Sequence, residues 1–134
     1  MKKPVTQEDL LGCGVACVAF VCDMKYQIAK KKLFKGLGSA NRTGYYCKHL
    51  VKAFARAGRE YDYQYLKRKR EFKENEIVFI KRSKKDPTGH YFVRVKGGWM
   101  DSWINFVENS DINDACSGFK KRLPGKAIYA IFPE

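Results

Sequence analysis

Histidine occurs only twice in these 134 residues and proline only four times. Any chemistry that needs an imidazole must therefore choose between His49 and His90, and so few prolines exclude a polyproline or collagen-like chain. Long apolar runs are missing too. The longest, over residues 14–21, is followed at once by Cys22 and Asp23, far short of the ~20 residues a bilayer-spanning helix needs. Neither a membrane span nor a secretory signal is expected. Acidic residues are scarce, 14 against 27 Lys and Arg, and the net charge of +13 will draw in anions: nucleic acid, acidic protein or anionic headgroups. Repeats, low-complexity tracts and linkers are absent.

What is present fits one globular domain over residues 1–134. Hydrophobic residues make up 45% of the chain, aromatics 14% and charged residues 31%, which excludes a disordered tail and favours an α/β or α+β protein. Five cysteines is an odd number, two of them stand four apart in a helix-like run, and no secretory signal precedes them. A disulfide scaffold is not expected, and a reducing cytoplasm fits best.

Helical spacing begins at Cys13 and runs to about Val21, with Val15, Val18, Ala19 and Cys22 on one face. A second amphipathic helix is expected over 25–37, and a third over 47–57, where Leu50, Val51, Phe54 and Ala55 align before Gly58, a fitting C′ residue. From Glu60 onward β-branched and aromatic residues cluster in short runs, predicting strands over 61–66, 77–81, 91–95, 99–103 and 127–132. Asp86-Pro87-Thr88-Gly89 reads as a turn, and Lys96-Gly97-Gly98 should join two antiparallel strands. The stretch 106–125 is polar and irregular, with a helical turn expected within 112–119.

The chemistry centres on Cys13. It stands where the first helix should begin, and a helix N-terminus and a nearby imidazolium both favour the thiolate that makes a cysteine nucleophilic. Gly12 and Gly14 flank it, and their missing side chains are expected to leave room for a substrate backbone and a tight entry into the helix. His49 falls within the third helix among lysines, where a solvated or partly packed histidine is expected. His90 follows Thr88-Gly89 at the head of a strand, and Asp101 lies on the strand after the Gly97-Gly98 turn. That hairpin would bring His90 and Asp101 to the same end of the sheet, supplying a base and its orienter. The backbone N–H of Cys13 and the amide of Gln7 are candidate donors to an oxyanion.

These residues resemble the papain-like cysteine peptidases, and within them the bacteriocin-processing peptidases that cut after a double glycine in leader peptides. Members carry a glutamine, five intervening residues, then Asp/Gly-Cys-Gly-x-Ala-Cys-Leu-Ala; here Gln7 is followed by residues 8–12 and then Cys13-Gly14-Val15-Ala16-Cys17-Val18-Ala19. The family's Leu-Val-x-Ala-x-x-x-x-Gly helix is matched from Leu50 to Gly58, and its histidine motif by His90-Tyr91-Phe92-Val93. The bacteriocin-processing members usually follow the acid with proline, whereas Asp101-Ser102-Trp103 is closer to the Asn-Ser-Trp of papain-type enzymes. The resemblance implies an α+β papain-like fold with helices packed on an antiparallel sheet. It also implies Cys13 as nucleophile, His90 as general base then acid, Asp101 as orienter and Gln7 as oxyanion donor. In both branches the nucleophile stands six positions after the glutamine, which selects Cys13 and leaves Cys17 packed one turn further on. The expected activity is a cysteine peptidase cleaving a peptide or isopeptide bond, without metal or cofactor, on a peptide or protein substrate that the basic surface would favour as acidic. Deamidation or acyl transfer on the same scaffold stays open.

Two readings compete. Cys13, Cys17, Cys22, Cys47 and His49 could ligate zinc, although their spacings form no pair of Cys-x-x-Cys knuckles. The clusters Lys30-Lys31-Lys32, Lys67-Arg68-Lys69-Arg70 and Lys81-Arg82-Ser83-Lys84-Lys85, with Tyr61, Tyr63, Tyr65 and Phe72 nearby, have the composition of a nucleic-acid surface. A solvated cationic face has the same composition.

Overall fold

A computed structural model describes residues 2–81 and 89–134. Three helices come first in the chain, α1 (Cys13–Val21), α2 (Tyr26–Leu33) and α3 (Cys47–Arg56). Six strands follow: β1 (Tyr61–Tyr65), β2 (Ile77–Lys81), β3 (Gly89–Val95), β4 (Gly98–Asp101), β5 (Gly118–Lys120) and β6 (Ala127–Pro133). The strands form one antiparallel sheet in the order β1-β6-β2-β3-β4-β5, so the architecture is α+β. The predicted turn 86–89 and the basic cluster 81–85 fall largely on residues outside those described.

All nine residues of α1 are buried, more than the single apolar face expected from its spacing. The helix packs against β3 on one side and against α2 and α3 on the others, so no face is left for water and a run apolar all round is what the site requires. Helix α2 ends at Leu33, earlier than its periodicity suggested. Phe34 leaves the helix to bury its ring against Tyr45, centroids 4.7 Å apart, and the Arg56 guanidinium donates to the carbonyls of Leu33 (3.0 Å) and Lys35 (2.8 Å). Those bonds satisfy terminal carbonyls that a longer helix would otherwise use. Helix α3 closes on Gly58 at φ +78°, the left-handed conformation expected of that glycine.

The sheet is covered on both faces. The helices and the odd-numbered residues Tyr91 and Val93 of β3 form the larger core; Val78, Ile80, Phe92 and Trp99 form a second one, closed over by Phe72 and Leu123 from loops. Burial from both sides explains why β2 reads Ile77-Val78-Phe79-Ile80 without alternation. Tyr61 of β1 stacks on Phe54 of α3 with centroids 3.7 Å apart, which fixes that helix against the outer strand.

Strand β5 had no counterpart among the predicted elements. Three residues carry too little pattern to read, and it exists because β4 offers an edge: Trp99 pairs with Lys120 and Asp101 with Gly118. A Cβ at Gly98 would stand 2.2 Å from the Lys120 carbonyl oxygen, and backbone cannot swing aside. Gly98→Ala is therefore expected to cost about 1–3 kcal/mol through overpacking, read as a lower midpoint of urea denaturation; an unchanged midpoint would show that β5 does not depend on this approach.

Candidate active site

The β3–β4 hairpin turns on Lys96-Gly97, with Gly97 at φ +76° and Val95 paired to Gly98. Its register sets Val93 opposite Met100, which puts His90 and Asp101 at one end of the sheet. There His90 Nε2 and Asp101 Oδ1 are 2.8 Å apart, with His90 3% and Asp101 1% exposed. The expected base and orienter are thus brought together. The carboxylate is also held by two other groups: the Trp103 backbone N–H donates to Oδ1 at 2.9 Å, and Lys120 Nζ lies 3.0 Å from Oδ2. Burial pushes the Asp101 carboxyl up, but the bonds and charge from His90, the Trp103 N–H and Lys120 outweigh it and hold the group well below the usual carboxylate range. The His90 ring packs edge-on against Phe92, centroids 4.8 Å apart.

Cys13 is the first residue of α1, where the backbone N–H groups of the first turn and the helix dipole favour a negative sulfur. It lines a cleft of about 570 Å³ together with His90 and Gln7. One wall is the segment before α1, with Leu10 and Leu11; another is the stretch before α3, with Tyr45 and Tyr46; the floor is the end of the sheet. Cys17, one turn into the helix, is fully buried, and its thiol is pushed well up by that burial, with the charges of Cys13 and Asp101 adding. It packs as expected and is no rival to Cys13 as a thiolate.

Gln7 is 2% exposed and its amide is engaged on both sides. Ser102 Oγ donates to its Oε1 at 2.7 Å, while its Nε2 donates to the carbonyls of Asp9 (3.0 Å) and Leu10 (3.2 Å). The Gln7 backbone N–H also donates to the Ser102 carbonyl at 3.2 Å. Gln7 therefore reaches the cleft as a braced group, and an oxyanion would have to draw its Nε2 away from one of those carbonyls.

The open space expected beside Cys13 is filled. A Cβ on Gly12 would lie 1.9 Å from the Tyr26 hydroxyl, and one on Gly14 would lie 2.9 Å from Leu50 Cδ1. These glycines admit the protein's own side chains, not a substrate. The gap at Gly12 lets Tyr26 reach Asp9, whose Oδ2 accepts its hydroxyl at 2.7 Å and pairs with Lys30 Nζ at 2.9 Å. Burial raises the Asp9 carboxyl, but Lys30 and Tyr26 outweigh it and lower it. The Asp9 carbonyl meanwhile accepts from Gly12 N at 3.1 Å as well as from Gln7. Asp9, Tyr26 and Lys30 thus lock α2 onto the loop that carries Gln7 and leads into Cys13. No sequence signal marked this trio; for Ser102, its place in Asp-Ser-Trp beside the acid was the available clue.

His49 sits outside the cleft lining. Its Nδ1 accepts the Tyr46 backbone N–H at 2.9 Å, capping α3, and burial followed by the charge of Lys48 lowers the imidazole. Among the described residues no group of three or more His, Cys, Asp or Glu side chains could hold a metal ion. Of the aromatics beside the basic clusters, Tyr61 is buried on Phe54 and Phe72 packs on Trp99, leaving Tyr63 and Tyr65 exposed. Arg70 is paired with Glu76 and Lys30 with Asp9. Lys48 alone of the Lys, Arg, Asp and Glu side chains among the described residues lines the cleft. Among the described residues no helix is long and apolar enough to cross a membrane. No family model matches this chain, and no curated protein matches it.

Proposed function

We propose that the protein is a thiol hydrolase of papain-like fold, cleaving a peptide or isopeptide bond through Cys13, His90 and Asp101. The observation that carries this reading is the buried His90–Asp101 pair at 2.8 Å, whose His90 lines the same cleft as Cys13 at the head of α1. Asp101 engages Nε2, so Nδ1 is the ring nitrogen through which protons would pass. The Cys13 thiolate attacks the carbonyl carbon, forming the C–S bond as the carbonyl electron pair moves to oxygen. His90 gives its proton to the leaving nitrogen, the C–N bond breaks, and a thioester remains. Water then attacks that thioester while His90 takes its proton, and the sulfur departs as thiolate. The Cys13 backbone N–H stabilises the oxyanion in each half, joined by the Gln7 amide as its Nε2 leaves the Asp9 or Leu10 carbonyl. A reaction that needs the Cys13 thiol reduced fits the reducing cytoplasm.

The cleft walls are largely aromatic and aliphatic among the described residues, which suits apolar residues of a peptide chain, with Lys48 the one cation there for an acidic residue. Incubation with a peptide library, scored by mass spectrometry for new termini, is expected to give a restricted set of cuts that Cys13→Ala does not make. The same cuts from Cys13→Ala would overturn the assignment of the nucleophile.

A further inference from the structure

Lys120 reaches the site from β5, the strand that the sequence did not announce. Its Nζ lies 3.0 Å from Asp101 Oδ2 and 5.7 Å from the Phe92 ring centroid, against the same ring that packs on His90. The lysine side chain is 29% exposed whereas the carboxylate is 2% exposed, so the cation enters from the rim to meet a charge already out of water. We infer that Lys120 is a positioning residue of this site: its ammonium fixes the Asp101 carboxylate and cancels its charge, so that His90 faces a net-neutral acceptor instead of an anion. The inference rests on the reading of His90 and Asp101 as base and orienter, but the placement of the lysine does not.

The geometry divides the labour between the carboxylate oxygens. Oδ1 accepts from His90 and from the Trp103 N–H, while Oδ2 belongs to Lys120. With both oxygens held, the carboxylate cannot rotate, and its direction toward Nε2 is set by three groups from β3, β5 and the loop after β4. The charge argument follows from the same distances. An unpaired buried carboxylate beside an imidazole stabilises the imidazolium strongly, raising the pH at which it loses its proton; a cation at 3.0 Å on the far oxygen opposes this. Among the described residues, helix α1 contributes Cys13 and the buried Cys17, and α3 contributes Lys48 and Cys47 on the cleft wall, the Cys47 thiol pushed up by burial. Tyr91 and Tyr45 are both pushed up by burial and stay neutral. Among the described lining residues there is no Asp or Glu; the Cys13 thiol is removed in the titration background below, which leaves the effect of Lys120 on Asp101 to be read directly.

The test titrates His90 by NMR in a Cys13→Ala, His49→Gln background, which leaves one imidazole and removes the thiol that would titrate with it. Glutamine at 49 keeps an acceptor for the α3 cap. Lys120→Met is expected to raise the His90 midpoint by roughly one pH unit and Asp101→Asn to lower it by about as much. The double variant Asp101→Asn, Lys120→Met replaces a neutral pair by neutral residues and should return to within ~0.4 unit of the parent, a compensation that defines coupling between the two sites. Lys120→Arg, which keeps the charge, should stay with the parent, and Lys120→Gln replaces the methionine if that variant does not fold. A lysine variant that folds and titrates with the parent, or a double variant that follows Asp101→Asn alone, overturns the inference. Because no thiol or substrate takes part, an inert Cys13 would sink the hydrolase reading while leaving this cycle to stand or fall on its own.

Discussion

Iodoacetamide is expected to modify Cys13 at a rate that barely changes between pH 5 and 8, while its reaction with free glutathione, the reference thiol, rises about tenfold per pH unit below an ordinary thiol pKa of about 8.5. Cys116 is exposed on the surface. The remaining three thiols report a different environment: burial pushes Cys17, Cys22 and Cys47 up, and each should label slowly throughout the range. What separates Cys13 from Cys17 and Cys22 is its place at the head of α1 in the cleft that His90 lines; Cys47 opens α3 and lines that cleft too, but burial pushes its thiol up. A thiolate stabilised by a helix terminus and an imidazolium is formed well below neutrality, so further rise in pH adds little of it. The slope is a better witness than the absolute rate, since a thiolate of low basicity is also an intrinsically weaker nucleophile. In His90→Ala the plateau should vanish and Cys13 should recover the tenfold-per-unit climb, with its rate at pH 5 down by roughly 10²-fold. Labelling located by mass spectrometry measures all five cysteines in one sample. A Cys13 slope parallel to that of the reference thiol in the wild type, or one indifferent to His90, would remove the nucleophile from the proposed mechanism.

The residues of the site were legible to different depths. Cys13 could be placed because a helix start is marked by a change of periodicity, and His90 with Asp101 because a Lys-Gly-Gly turn fixes the register of the strands that carry them. Both arguments are local: a short turn and a short run of residues determine the geometry. The supports are not local. Ser102 meets Gln7 across 95 residues of chain and Lys120 meets Asp101 through a three-residue strand, contacts that periodicity does not encode. Tyr26 reads from sequence as the start of an amphipathic helix, and only the close approach at Gly12 shows that its hydroxyl enters the loop before the nucleophile. The same approach reverses the meaning of the Gly-Cys-Gly run. A missing side chain in sequence says that something comes near, and the fold decides whether that is a ligand or the protein itself.

Asp101 is where the charge of the acid and its hydrogen bond can be told apart, and the two substitutions should differ widely. Asp101→Ala removes the acceptor of His90 Nε2 and of the Trp103 N–H together. The ring is then free to turn, and Cys13 alkylation at pH 6 is expected to fall by about 10²-fold or more. Asp101→Asn keeps the acceptor oxygen. In a serine hydrolase such an amide is damaging because the neutral imidazole is then held in the wrong tautomer. A thiolate–imidazolium pair avoids that problem: both ring nitrogens carry protons, so Nε2–H can donate to an amide oxygen as well as to a carboxylate. Reactivity of the asparagine variant should therefore stay within about tenfold of the wild type at pH 6, with its plateau ending at lower pH because Lys120 is left as an unpaired cation. Stability supplies the independent check. The folded-state Asp101 carboxyl lies below its unfolded value, so its contribution is present above the unfolded value of about 3.9 and is lost as pH falls toward the folded one. Urea midpoints measured from pH 5 down to pH 3 should drop more steeply for the wild type than for Asp101→Asn, while Asp9, lowered in the same sense, keeps a residual slope in both. Equal slopes would mean that the His90 and Lys120 contacts do not hold the charged carboxylate. Equal losses of alkylation in the alanine and asparagine variants would mean that the charge, and not the direction of one hydrogen bond, is what His90 requires.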